Sequence, residues 1–188
     1  MDTTPNLSFT LYVSMLKEKI RYFSMFSYIV SLSLSLSLSL SKVGGPWQLI
    51  IKVATVREKR HNRTGLAYEA KSIQGVEVLQ GITSCSGKLI SIAIQEAMTE
   101  AAVKARSLGF NHFLFLCGIK RAVNVTNGFW PPSWQERVLL SDWASLARND
   151  VYFHSIYVPR IVNSYVSNLA KLATTMPIHH CIVNQDFL

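Results

Sequence analysis

From residue 47 onward the spacing of apolar positions alternates between the periods of strands and helices. Leu49, Ile50, Ile51, Val53 and Val56 make residues 47–56 an apolar, β-branched run, which predicts a buried strand. A basic segment follows, Arg57-Glu58-Lys59-Arg60-His61-Asn62-Arg63-Thr64-Gly65, whose Asn, Thr and Gly mark a reversal. Residues 66–71 and 76–81 predict two more strands, with Gln74-Gly75 turning between them. Three successive strands on short turns imply an antiparallel meander.

The period then changes. Ile94, Met98, Ala101, Ala105 and Leu108 recur at helical spacing, and Gln95, Glu96, Thr99, Glu100 and Lys104 fall largely off that stripe. Gly109 is placed to stop the helix. Phe113-Leu114-Phe115-Leu116 is continuously apolar, as a central strand buried on both faces would be. A short helix is expected over 119–125 and a loop over 127–132. Ser133-Trp134-Gln135-Glu136 then forms a capping box opening a helix to about Ala147. Residues 151–158 predict a fifth strand. Pro159 bars a helix there, Asn163 reads as an N-cap, and Val162, Tyr165, Val166, Leu169, Leu172 and Ala173 return at helical spacing. The order β-β-β-α-β-α-α-β-α predicts an α/β fold: a mixed five-stranded sheet, meander plus parallel strands, with helices on both faces.

The final strand-to-helix unit carries the most specific string. Val158-Pro159-Arg160, Asn163 and Leu169-Ala170-Lys171-Leu172-Ala173 resemble the C-terminal signature of the ribonuclease H family, in its plant reverse-transcriptase-like branch. Glu100-Ala101 leading to Leu108-Gly109-Phe110 is similar to the end of the family's first long helix, and Pro46-Trp47 is similarly placed before strand one. The resemblance spans residues 47–173 and implies a ribonuclease H-like fold. It also implies a chemistry, cleavage of the RNA strand of RNA–DNA hybrids by two magnesium ions held on four carboxylates.

Carried across residue by residue, the strand-one acid falls at Ala54, or at Val53 after a one-residue shift. The helix acid falls at Ile94, the acid ending strand four at Gly118, and the last-helix acid at Ser167. None is a carboxylate. Glu96 lies about 200° around the helix from Ile94, and Glu58 and Asp142 belong to a turn and to another helix. The expectation is therefore a domain with no catalytic or metal-binding residues of the family's kind, no cofactor, and lost or much reduced hybrid cleavage.

Charge adds a partner class. The chain has 188 residues with net charge +8, 49% hydrophobic and 16% charged residues. Its excess of cations favours polyanions or an anionic membrane surface. Arg57, Lys59, Arg60 and Arg63 share one turn, and Lys120 and Arg121 follow strand four. These residues are the candidates for tracking the phosphates of an RNA–DNA hybrid or RNA. A solvated hairpin tip explains the turn equally well. Two further readings stand beside nucleic-acid binding: an active variant endoribonuclease with unrecognised ligands, and a vestigial interaction domain derived from a mobile element. The second would use Trp130-Pro131-Pro132 and Trp134 as an exposed partner site, although packing is the favoured use of those tryptophans.

Other chemistries lack their motifs: there is no phosphate-binding glycine loop, no H-E-x-x-H and no G-x-S-x-G. Cys85, Cys117 and Cys181 are odd in number and lack zinc spacing. Cys117 is expected to act as a small buried hydrophobe. His179-His180-Cys181 has no second ligand pair and reads as part of a polar C-terminal tail, 176–188.

Residues 1–46 form an extension of different character. Lys17, Lys19 and Arg21 precede an uncharged run over 22–41, whose second half alternates Ser and Leu from Ser31 to Leu40. The run reaches the roughly 18–20 residues that cross a bilayer, but alternate serines halve its apolar density. Low-complexity sequence is the favoured reading and a membrane anchor the alternative. An intracellular location is correspondingly favoured over a membrane-anchored one. Residues 42–46 read as a linker to the domain over 47–175.

Overall fold

The computed structural model describes residues 46–87, 89–175 and 179–184. The low-complexity and membrane-anchor readings of 22–41 fall outside these residues. Among the described residues no helix is long and apolar enough to cross a membrane.

Nine elements follow the predicted order and a tenth is added. They are β1 (Leu49–Glu58), β2 (Arg63–Ser72), β3 (Glu77–Ser86), α1 (Ile90–Ser107), β4 (His112–Cys117), α2 (Lys120–Thr126), α3 (Trp134–Ala147), β5 (Tyr152–Tyr157), α4 (Ser164–Thr175) and β6 (His179–Val183). The sheet order is β5-β4-β1-β2-β3-β6. β1 runs parallel to β4, and β4 to β5; the remaining pairs are antiparallel.

The five-stranded expectation is corrected to six. Part of the expected polar tail is β6, which pairs with β3 from Leu79↔Val183 to Thr83↔His179. Asn184 extends the match, its N–H donating to Val78 O at 2.9 Å and its Nδ2 to Glu77 O at 3.0 Å. An uncovered β3 would present a row of unpaired backbone groups, and β6 occupies that edge. β3 also runs past its expected end at 81. Thr83, Ser84 and Cys85 look like loop residues but continue the ladder against Leu66, Gly65 and Thr64.

Alternation along β1 divides the interior. Leu49, Ile51 and Val53 point into one core with Ile94 and Met98 of α1, Phe113 and Phe115 of β4, and Trp143 of α3. Ala54 points to the other face, where it joins Ala67, Val166 and Ala170 under α4. Small residues let α4 sit close to the sheet. At Gly65 of β2 an added Cβ would lie 1.9 Å from Ala170 O.

Two side chains depart from their expected surroundings. Gln95, placed off the apolar stripe by its spacing, is fully buried, and neither of its side-chain polar atoms has a hydrogen-bond partner. α1 packs against both the sheet and α3, so more than one stripe of it is covered. Asn163 does not cap α4 with its side chain; its amide turns inward to the sheet, as described below.

α3 opens on the expected capping box. Ser133 Oγ accepts from Glu136 N at 3.4 Å, and Glu136 Oε2 accepts from Ser133 N at 2.7 Å. Glu136 is fully buried and also accepts from Arg121 Nε at 3.1 Å and Nη2 at 2.8 Å. The Arg121 guanidinium holds the Glu136 carboxyl down from 4.5 to about 2, against the opposing effect of burial. A carboxyl held below its unfolded value stabilises the fold above that value and loses its contribution as pH falls toward the folded one. The melting temperature is therefore expected to fall between about pH 4.5 and pH 2, and Glu136→Gln to flatten that part of the profile. An unchanged slope in thermal scans across that window would remove Glu136 as its source.

Candidate functional site

β1 and β4 lie side by side and in parallel, with Lys52 opposite Leu116 and Val53 opposite Cys117. Beyond that pair β4 ends and the chain leaves through Gly118 into α2, while β1 continues to Glu58. A crevice outside the carboxyl ends of parallel strands is where open α/β sheets place ligands. Here it is an open cavity of about 460 Å³.

Ala54, Ile94, Gly118 and Ser167 all line this cavity, and so does Val53, so both registers considered for strand one reach it. Each arrives on a different element. Ala54 lies beyond the middle of β1, Ile94 one turn into α1, Gly118 directly after β4, and Ser167 in the first turn of α4. Ile94 is fully buried. At Gly118 an added Cβ would meet only Arg160 Cγ at 3.6 Å and Val158 O at 3.7 Å, ordinary contacts, so a Cβ fits there.

Asn163 ties the site together. Its Nδ2 donates to Val53 O at 3.1 Å and Leu116 O at 3.0 Å, bridging the middle of β1 to the end of β4. Its own carbonyl accepts from Ser167 N at 2.8 Å, which fixes the first turn of α4 over the cavity. The side chain expected to cap α4 instead serves the Val53 and Leu116 carbonyls, and its own Oδ1 is left buried without a hydrogen-bond partner.

Of the six basic candidates, Arg57 and Lys59 line the cavity. Both are exposed, and Arg57 Nη2 donates to Asn62 Oδ1 at 3.3 Å. Arg60 and Arg63 line a separate cavity of about 370 Å³ with Glu58, His61, Thr174 and Thr175. Arg63 Nη2 also donates to Ser84 Oγ at 2.6 Å. Lys120 Nζ stands 5.1 Å from the centroid of the Tyr157 ring. Arg121 is committed to Glu136. The candidates thus do not form one patch.

Arg160 is the lining residue that sequence reasoning passed over as a binding group. It stood within the Val158-Pro159-Arg160 string, three positions before Asn163, and that placement was the available signal. Among the described residues no Asp or Glu lines the cavity. Among the described residues no group of three or more His, Cys, Asp or Glu side chains is arranged to hold a metal ion.

Cys117 is buried as expected, and burial pushes its thiol up to about 11. Trp130 and Trp134, expected to pack, lie beside Phe129 on the surface. Phe129 is 71% exposed, Trp130 48% and Trp134 75%, so packing does not account for them.

No protein-family model and no curated protein matches the sequence. Solved structures do match the fold. The N-terminal RNase H domain of Rv2228c from Mycobacterium tuberculosis is 17% identical, with a TM-score of 0.62 over 68% of this chain and 93% of that one. RNase H1 from the halophilic archaeon Halobacterium salinarum is 17% identical, with a TM-score of 0.61 over 66% and 96%. LC11-RNase H1, solved in complex with RNA/DNA hybrid, is 14% identical, with a TM-score of 0.63 over 68% and 96%.

Proposed function

The chain has a ribonuclease H-like fold, and from that premise we propose that it is a nucleic-acid-binding domain for RNA–DNA hybrids in which hybrid cleavage is lost. The observation that carries the proposal is the gathering of Ala54, Ile94, Gly118 and Ser167 around one cavity whose lining, among the described residues, includes no carboxylate.

Magnesium is a hard cation that needs oxygen ligands, chiefly carboxylates in protein sites of this kind. The cavity offers the hydroxyls of Thr55 and Ser167 and the amide of Asn163, beside the cations Arg57, Lys59 and Arg160. That donor set does not fit a two-metal centre. Apolar groups are also the stable replacement. Clustered carboxylates repel one another unless a cation neutralises them, and an alanine or a buried isoleucine carries no such cost.

A second reading, an interaction domain, is favoured by the exposed Phe129, Trp130 and Trp134. A hybrid-binding titration separates the two. The domain is expected to bind labelled hybrid at low salt and to weaken steeply as salt rises. Replacing Arg57, Lys59 and Arg160 together by Gln is expected to make the log-affinity against log-salt slope shallower by about 3, roughly one per phosphate contact. Absence of binding at low salt would discard the proposal in favour of the interaction domain.

A further inference from the structure

We infer that the cavity beside Gly118 is an anion site that takes a phosphate group by direct contact with protein cations, with no metal between. The inference deepens the proposed function and rests on it for the ligand's identity, a phosphodiester of the bound nucleic acid.

Three cations reach the cavity from different parts of the chain. Arg57 and Lys59 come from the β1 end and the turn after it, and Arg160 from the segment joining β5 to α4. All three are exposed, and none forms an ion pair with an acid among the described residues. Glu58, between the first two, lines the other cavity, and its Oε1 accepts from Arg60 N at 3.1 Å. The positive side chains therefore line a space with no compensating acid among the described residues.

Backbone adds to the same sign. α1 and α4 begin at this cavity, through Ile90 on one side and Asn163 and Ser167 on the other. Neither helix carries an acidic residue in its first turn, and α1 has no side-chain cap. Helix N-termini present partial positive charge and free N–H groups to anions. Hydroxyl donors are present too: Ser167 is partly exposed, and the Thr55 Oγ1 is buried with no hydrogen-bond partner. Guanidinium groups bind phosphate oxygens in pairs, and about 460 Å³ accommodates a phosphate with a flanking sugar. Positive charge that metal ions would bring to such a crevice is here brought by arginine and lysine.

The test is calorimetric titration of the full chain with inorganic pyrophosphate in EDTA. Saturable binding is expected, weakened at least about tenfold by Arg160→Gln and by Arg57→Gln, with melting temperatures unchanged. Arg106→Gln, in the last turn of α1, is expected to leave it unaltered. Pyrophosphate is also expected to displace labelled hybrid in EDTA. No binding, binding indifferent to Arg160→Gln, or binding only after magnesium is added would each overturn the inference. Hybrid that binds in EDTA but is not displaced would overturn it while leaving the proposed function standing. Arg160-dependent pyrophosphate binding without hybrid binding would uphold the site and remove the proposed function.

Discussion

The quadruple variant A54D/I94E/G118D/S167D is expected to melt roughly 10 °C or more below the wild type in EDTA, and to recover in millimolar manganese. The four positions line one cavity, so the new carboxylates would face one another across it. Ile94 is fully buried and Ala54 nearly so, which deprives two of them of solvent. Arg57, Lys59 and Arg160 on the cavity offset part of this charge, but four clustered carboxylates outnumber three exposed cations, and like charges held together out of water stay unfavourable until a metal cation neutralises them. Gly118 has room for a Cβ and Ser167 is partly exposed, so crowding at those two positions contributes little to the loss. The wild type, with no acid on the cavity among the described residues, is expected to show no such response to manganese. A variant whose stability ignores manganese would mean that the four positions do not converge on a cation-sized space.

Gly65→Ala is expected to destabilise the domain by about 3 kcal/mol or more. Its Cβ would lie 1.9 Å from Ala170 O and 3.0 Å from both Ala170 C and Thr174 Cγ2. The first two are backbone atoms, so no rotamer change relieves the contact. α4 must lift off β2, and with it Asn163, which bridges β1 and β4. Gly118→Ala is the matched control, expected to fall within about 0.5 kcal/mol of wild type because its Cβ meets nothing closer than 3.6 Å. Urea denaturation of the two variants measures the difference. Equal midpoints would show that α4 does not approach the sheet through Gly65.

Apolar period and turn residues made the order of nine elements legible, because each is a local signal. β6 was not legible: two histidines and a cysteine hide a strand whose reason to form is the open edge of β3, far away in sequence. Asn163 shows the same limit. Its position before an apolar helix has the form of an N-cap, but two carbonyls on distant strands claim the amide. Arg121 read as a phosphate contact because Glu136, its partner, lies on another helix. The four cavity positions were legible because a string in the last helix and the end of β4 fixed two of them. Arg160 was overlooked because a single arginine inside a structural string carries no charge cluster to mark it.

The most direct measurement incubates the purified chain with end-labelled RNA–DNA hybrid in magnesium or manganese and resolves the RNA strand by length. Hybrid is expected to be bound while its RNA strand stays intact. RNA cleavage that requires the metal and stops in EDTA would contradict the proposed loss of cleavage.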